Sequence, residues 1–235
     1  MRALNIFTGR TMRLMIILLP LCVSLLVCVL MALSAEESDE YSSRFMMSLM
    51  CMIAGPITAY PILGGTANGF FRSTAGSKYF RTVKNGGKLF VRAMGISALR
   101  ILASSIIIVS LAVAASALMG ALPPADGGWV LFGQPVFGQM ILYILQCASG
   151  VLFISGYSFL TLFIKNPPLR MGLSAAVMFL CVLMTSFVFN DIIEQKTYAE
   201  GLILYAITAV CGLVFAGLAY LALYLGMPKL WLKDQ

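Results

Sequence analysis

Six apolar runs occupy most of this chain, and each is long enough to cross a lipid bilayer. They lie at approximately residues 14–34, 45–65, 93–118, 136–164, 171–190 and 201–225. A helix needs about 20 residues to cross the hydrocarbon core, and it satisfies its own backbone hydrogen bonds while doing so. The pattern therefore predicts an all-α polytopic membrane protein with six transmembrane helices, in which residues 1–235 form a single transmembrane domain.

The charged residues between these runs are sorted by sign. Eight of the nine acidic residues lie in the loops after the first, third and fifth runs, and Asp234 is the exception. Fourteen of the sixteen basic residues lie outside those loops. Because loops rich in Lys and Arg stay on the cytoplasmic side, this alternation predicts that both termini are cytoplasmic. We expect a multi-pass protein of the cell membrane, in a bacterial plasma membrane, with its longest inner loop at 66–92.

A second interpretation of the first run is open. The small residues Ala32, Leu33 and Ser34 before Ala35 resemble the cleavage site of a signal peptide. We favour an uncleaved helix because an apolar run of about 20 residues exceeds the roughly 7–15 residues of a signal-peptide core. Cleavage would leave five spans with the same orientation.

The composition argues against an enzyme. The stretches outside the apolar runs are too short for a soluble catalytic domain. The chain has no histidine, and its six cysteines all lie in apolar runs, so we expect no metal site and no disulfide framework. It also lacks the glycine-rich loop that binds nucleotide phosphates. We therefore expect no cofactor on this chain.

The net charge of +7 does not indicate a nucleic-acid partner. The basic residues flank helix ends on one side of the predicted membrane, where orientation and anionic headgroups account for them. The lipid bilayer is the partner that this distribution predicts.

Two features inside the runs suggest functional positions. Pro56 and Pro61 interrupt the second run and predict helix kinks, which in a membrane require protein or a water-filled cavity around the freed carbonyls. We expect that span to face the protein interior. Arg100 is the only charged residue inside a run, and two interpretations are open: a side chain that reaches the inner surface, or a pore-side residue.

Small, hydroxyl and amide residues are frequent in the later runs. Ser105, Gln146, Ser149, Gly150 and Gly156 are examples. Such residues mark close helix packing in membranes, and lining of a substrate path is the alternative. No Asp or Glu lies inside a run, so an ion-coupled carrier is less well supported.

The inner loop interleaves aromatic and basic residues. A short helix from Ser77 would place Tyr79, Phe80 and Val83 on one side and Lys78, Arg81 and Lys84 on the other. Such a segment lies on a surface. The surface can be anionic lipid headgroups or another protein, and both interpretations are open.

The whole arrangement resembles the transmembrane subunit of an ABC-2-type ATP-binding cassette exporter. The shared features are six spans, inner termini, an amphipathic N-terminal segment and a basic first inner loop. Near that loop the family commonly has a glycine and an arginine followed by basic–aromatic pairs, which Gly69, Arg72, Lys78, Tyr79 and Phe80 match. The chain departs from the pattern in its short last outer loop and in an N-terminal segment without acidic residues.

The resemblance implies a permease subunit that exports a hydrophobic or amphipathic substrate, such as a peptide. ATP would be hydrolysed by a separate cytoplasmic ATP-binding subunit, and a second permease subunit, identical or different, would complete the transporter. The resemblance also implies a coupling helix that docks onto the ATP-binding subunit. Its residues would be Arg72, Ser77, Lys78, Tyr79, Phe80, Arg81, Val83 and Lys84. The alternative is a non-transporting accessory, assembly or immunity membrane protein that binds a partner through the same loop.

Overall fold

The computed structural model describes residues 46–51, 53–71, 85–119, 135–164 and 198–233, with short pieces between residues 14 and 29 and between 166 and 179. Every regular element in this part of the chain is a helix, and it contains no strand. The predicted all-α class is confirmed for these residues.

The described residues contain four stretches that are long and apolar enough to cross a membrane. They are Met46–Gly64, Gly86–Leu118, Val136–Thr161 and Glu200–Gly226. The helices are a π-helical segment, Ile53–Ile57, followed by α1 (Thr58–Phe71), α2 (Gly86–Leu118), α3 (Pro135–Thr161) and α4 (Tyr198–Lys233). These stretches coincide with the predicted second, third, fourth and sixth spans. The predicted spans at 14–34 and 171–190 lie largely outside the described residues.

The segment predicted as the inner loop, 66–92, is helical at both of its ends. Helix α1 continues to Phe71, and helix α2 begins at Gly86. Extending an existing helix costs little once it has nucleated, which accounts for the first end. At the second end, Phe90 and Val91 are fully buried, so packing stabilises a turn that lies before the apolar run. Residues 72–84 lie outside the described part.

The directions of the helices follow from the contacts between their ends. Lys88 at the start of α2 lies 5.6 Å from the ring centroid of Tyr224 near the end of α4. Phe163, just after α3, packs against Gly226. At the opposite end, the Ser116 hydroxyl of α2 lies 3.9 Å from the sulfur of Met47. Helix α2 is therefore antiparallel to the other three spans.

These directions agree with the alternation that the charges predict. The start of α2, the end of α3 and the end of α4 meet at one end of the bundle, and each adjoins a segment that is basic in the sequence. That this end faces the cytoplasm remains a prediction of the charge pattern.

We expect an alkaline phosphatase fusion after Gln235 to be inactive and one after Asp126 to be active, because that enzyme folds only outside the cytoplasm. Green fluorescent protein at the same two positions should give the opposite pattern. Activity of the phosphatase at Gln235 would overturn the predicted orientation.

Helix α3 is the centre of the described bundle. It contacts the π segment, α1, α2 and α4, and its most extensive contact is with α4. Glycines allow the closest approaches: a Cβ atom on Gly156 would lie 2.6 Å from Phe215 Cδ1 and 3.0 Å from Ala216 Cα. Small residues of this kind let transmembrane helices pack backbone to backbone.

The span that contains both prolines is the most enclosed of the four. About 69% of the most apolar window of Met46–Gly64 is buried, against 22% for Glu200–Gly226. Met47, Met50, Cys51 and Ala54 are fully buried. The prediction that this span faces the protein interior is confirmed.

We expect Gly156→Ala to destabilise the protein by about 1–3 kcal/mol, because the new methyl group would overlap Phe215 and the backbone of Ala216. The matched control is Gly217→Ala on α4, where a Cβ would meet no described atom within 4 Å. Thermal unfolding in mild detergent measures both. Equal midpoints for the two variants would contradict the α3–α4 packing.

Candidate functional site

The candidate site is the π-helical segment Ile53–Ile57, which contains Pro56. Proline has no N–H to donate and its ring clashes with the preceding turn, so a regular α-helix cannot pass through it unchanged. Insertion of a wider π turn is one way to accommodate such a position, and π turns concentrate at functional sites. The structure thus has an irregular segment at one of the two positions predicted to kink the span.

Two hydroxyl groups donate hydrogen bonds to carbonyls of this segment. The Thr58 hydroxyl donates to the carbonyl oxygens of Ala54 and Gly55, at 2.8 and 2.9 Å. The Ser105 hydroxyl of α2 donates to the same Ala54 oxygen at 3.0 Å. A carbonyl without a donor costs several kcal/mol at membrane depth. Part of the hydrogen bonding of the π segment therefore comes from a neighbouring helix.

Glycines hold the segment tightly against α3. A Cβ on Gly55 would lie 2.7 Å from the Cys147 sulfur and 3.0 Å from Val151 Cγ2. In return, a Cβ on Gly150 would lie 2.9 Å from Pro56 Cγ. Both helices thus use a glycine at the contact, and any larger side chain would push the π segment away from α3.

A second polar contact joins the same two spans, close to the start of Met46–Gly64 and close to the middle of α3. The Gln146 side-chain nitrogen of α3 donates to the Ser48 hydroxyl at 2.6 Å, and both residues are buried. The Gln146 Oε1 atom accepts no hydrogen bond from any residue that the structure describes. Buried amides between transmembrane helices link particular positions of the two helices, because their polar groups are costly to leave unpaired.

The other two predicted positions lie on exposed faces. Pro61 is exposed on α1, so it does not share the packed environment of Pro56. Arg100 is exposed on α2, beside the exposed residues Leu99 and Ile107. Its side chain does not point into the bundle formed by the described helices.

The eight residues predicted for the coupling loop lie between α1 and α2, outside the described residues. They are Arg72, Ser77, Lys78, Tyr79, Phe80, Arg81, Val83 and Lys84. The structure describes the point where that loop ends. Asn85 has the left-handed backbone φ of 68° and precedes the first residue of α2.

An aromatic cluster ties the start of α2 to the end of α4. The Tyr220 ring stacks on Tyr224, with centroids 6.5 Å apart, and meets Phe159 of α3 edge-on at 5.8 Å. A Cβ on Gly95 would lie 2.7 Å from the Tyr220 ring. Together with the Lys88 ammonium over Tyr224, these contacts hold the start of α2 against α4, and α4 against α3.

The two hydroxyl groups that donate to the π segment were not predicted from the sequence. In the sequence, Ser105 is one of several small residues of its run. A threonine two residues after a membrane proline was the available signal, because its hydroxyl can reach the carbonyls three and four residues back. The contact from Ser105 depends on how α2 packs and has no local signal.

Chemically, this site offers hydrogen bonds and close packing. Its polar groups are hydroxyls, an amide and the thiols of Cys51 and Cys147, both of which are buried. No protein-family model, curated protein sequence or solved structure matches this chain.

We expect Ser105→Ala to destabilise the protein by roughly 0.6 kcal/mol, the average for a hydrogen bond between transmembrane helices. Combining it with Thr58→Val should cost more than the sum of the two single changes, because the Ala54 carbonyl then loses both of its hydroxyl donors. Unfolding of the three variants in detergent measures the effect.

Ser110→Ala is the matched control for that series, since the Ser110 hydroxyl donates within its own helix to Ile106. It should leave the unfolding midpoint nearly unchanged. Strict additivity of the Ser105 and Thr58 changes would show that the two hydroxyls do not share the Ala54 carbonyl.

Proposed function

We propose that this chain is the membrane-spanning subunit of an ATP-driven exporter of the ABC-2 type. The exporter would move a hydrophobic or amphipathic substrate, such as a peptide, with ATP hydrolysed by a separate cytoplasmic subunit. Two membrane subunits, identical or different, would form the transport path between them.

The connection between the inner loop and the packed bundle is the observation that carries this proposal. Helix α1 enters the loop directly from the π segment, and helix α2 leaves it with Phe90, Val91 and Met94 fully buried. A force applied to the loop would therefore reach the core through continuous helices. This is the property that a coupling element between an ATPase and a membrane domain needs.

Helix length supports the same role. At about 1.5 Å per residue, the 33 residues of α2 and the 36 residues of α4 measure roughly 50 and 54 Å. Both exceed the hydrocarbon core of about 30 Å. Their basic ends, joined through Lys88 and Tyr224, would project on the predicted cytoplasmic side, where a partner can contact them.

The π segment would be the position that bends during transport. It lies in the span that precedes the loop, and its Ala54 carbonyl accepts modest hydrogen bonds from the hydroxyls of Thr58 and Ser105. In the proposed cycle, ATP binding draws the two ATP-binding subunits together, and the loops carry that movement into the spans. Rearrangement at the π segment then changes the side on which the path between the membrane subunits is open.

We expect the full-length chain, purified in mild detergent from its native membranes, to retain a stoichiometric partner that carries a nucleotide-binding loop. The double reversal Arg81→Glu/Lys84→Glu should release that partner and abolish ATP-dependent transport. The reason is that these positions lie on the basic side of the proposed coupling helix. Mass spectrometry of the bound proteins gives the readout.

The matched control is Arg44→Glu/Lys196→Glu, which reverses the two basic residues of the predicted outer loops. It should keep the partner. Membrane insertion should be normal for both double variants, because many inner basic residues remain to orient the helices.

Other outcomes would favour the accessory role. A chain recovered alone, or only with membrane proteins that lack a nucleotide-binding loop, would overturn the exporter proposal. Transport that stops when an ion gradient is collapsed, with ATP still present, would indicate an ion-coupled carrier.

A further inference from the structure

A groove of about 400 Å³ runs between α2, α3 and α4, and nothing in the exporter proposal requires it. One stripe from each helix lines it. The stripes are spaced by three or four residues, as expected for single helix faces. Its apolar lining includes Leu99, Leu102, Leu152, Phe159, Leu213 and Tyr220.

The groove is apolar along its length and cationic at one end. Arg92 lines it at the end where α2 begins, and the ring of Tyr220 lies beside it. Lys88 lies one turn before Arg92, over the ring of Tyr224. Glu200 is the only acidic residue among those that the structure describes. It lies twenty residues before Tyr220, or about 30 Å along α4.

The position of the charged end fits the membrane interface. Tyrosines and basic residues are the side chains that concentrate at the boundary between hydrocarbon and headgroups. From Arg92 to Leu102 the groove follows α2 for ten residues, about 15 Å. That is half of a hydrocarbon core of about 30 Å, which is the depth of one leaflet.

A glycine on α4 keeps the groove open. Gly217 lines the groove, and a Cβ there would meet no described atom within 4 Å. Most other glycines in the described helices instead contact a neighbouring helix, as Gly156 and Gly95 do. The space beside Gly217 is therefore free for an acyl chain.

We propose that this groove binds one anionic phospholipid of the leaflet on the basic side. Its acyl chain lies along the apolar walls, and its phosphate is held by Arg92 with Lys88 nearby. An arginine can donate two parallel hydrogen bonds to phosphate oxygens, and such charge-assisted bonds are strong where water is scarce. A zwitterionic lipid with the same chains would fill the same space, but its own cation would offset the attraction. The site would thus select for headgroup charge.

Native mass spectrometry of the full-length protein in mild detergent tests this proposal. Phosphatidylglycerol and phosphatidylcholine with identical acyl chains are titrated separately. We expect one phosphatidylglycerol to bind about tenfold more tightly than phosphatidylcholine. Arg92→Gln should remove most of that preference. Its matched control is Arg100→Gln, which removes an exposed arginine of the same helix that does not line the groove.

A second variant tests the apolar part of the site. Gly217→Leu should fill the groove and weaken binding of both lipids by about tenfold. Gly64→Leu, at another glycine with open space around its Cβ position, should not. The proposal fails if Arg100→Gln lowers the preference as much as Arg92→Gln does. It also fails if Gly217→Leu leaves binding unchanged, or if wild-type protein binds both lipids equally.

Discussion

Proline inside a transmembrane helix interrupts the backbone hydrogen bonding, and the described helices pack around the irregular turn that results. Pro56 has no N–H, so the carbonyl four or five residues before it loses its backbone donor, and the helix widens there into the π segment. Within that segment the Ala54 carbonyl accepts one hydrogen bond from the Thr58 hydroxyl and one from the Ser105 hydroxyl of α2. The hydrogen bond from Ser105 joins α2 to the proline-containing span at the level of Ala54. Glycines on this span and on α3 then allow the two helices to approach closely at the same level.

The same arrangement would allow the π segment to be well defined and still bend in the proposed transport cycle. On the α3 side, close packing holds the π segment firmly, because Gly55 and Gly150 leave no spare space. On the α2 side it accepts a hydrogen bond from the Ser105 hydroxyl, and such interhelical bonds average only about 0.6 kcal/mol. A bend at this position would keep the α3 contact and exchange the weaker one. In an exporter, that asymmetry would let movement of α2 relative to α3 alter the path of the span.

The start of α2 takes part both in the proposed coupling to an ATP-binding subunit and in the proposed lipid site. Its first residue, Gly86, directly follows Asn85, where the inner loop ends. Within the next two turns, Lys88 contacts Tyr224 of α4 and Arg92 lines the groove. A bound anionic lipid would therefore contact the segment through which the loop would act on the bundle. Lipid composition could then influence coupling without any contact between the lipid and the transported substrate.

Much of the architecture was predictable from the sequence, because hydrocarbon thickness and charge asymmetry act on local stretches of residues. The apolar runs, the alternation of their flanking charges and the irregularity at Pro56 are of this kind. Helix ends were harder, since burial of Phe90 and Val91 extended α2 beyond its apolar run. Ser105 as a donor to Ala54, the paired glycines and the groove beside Gly217 were decided only by tertiary structure. Each depends on which face of one helix meets another, and that is a property of packing over long sequence separations.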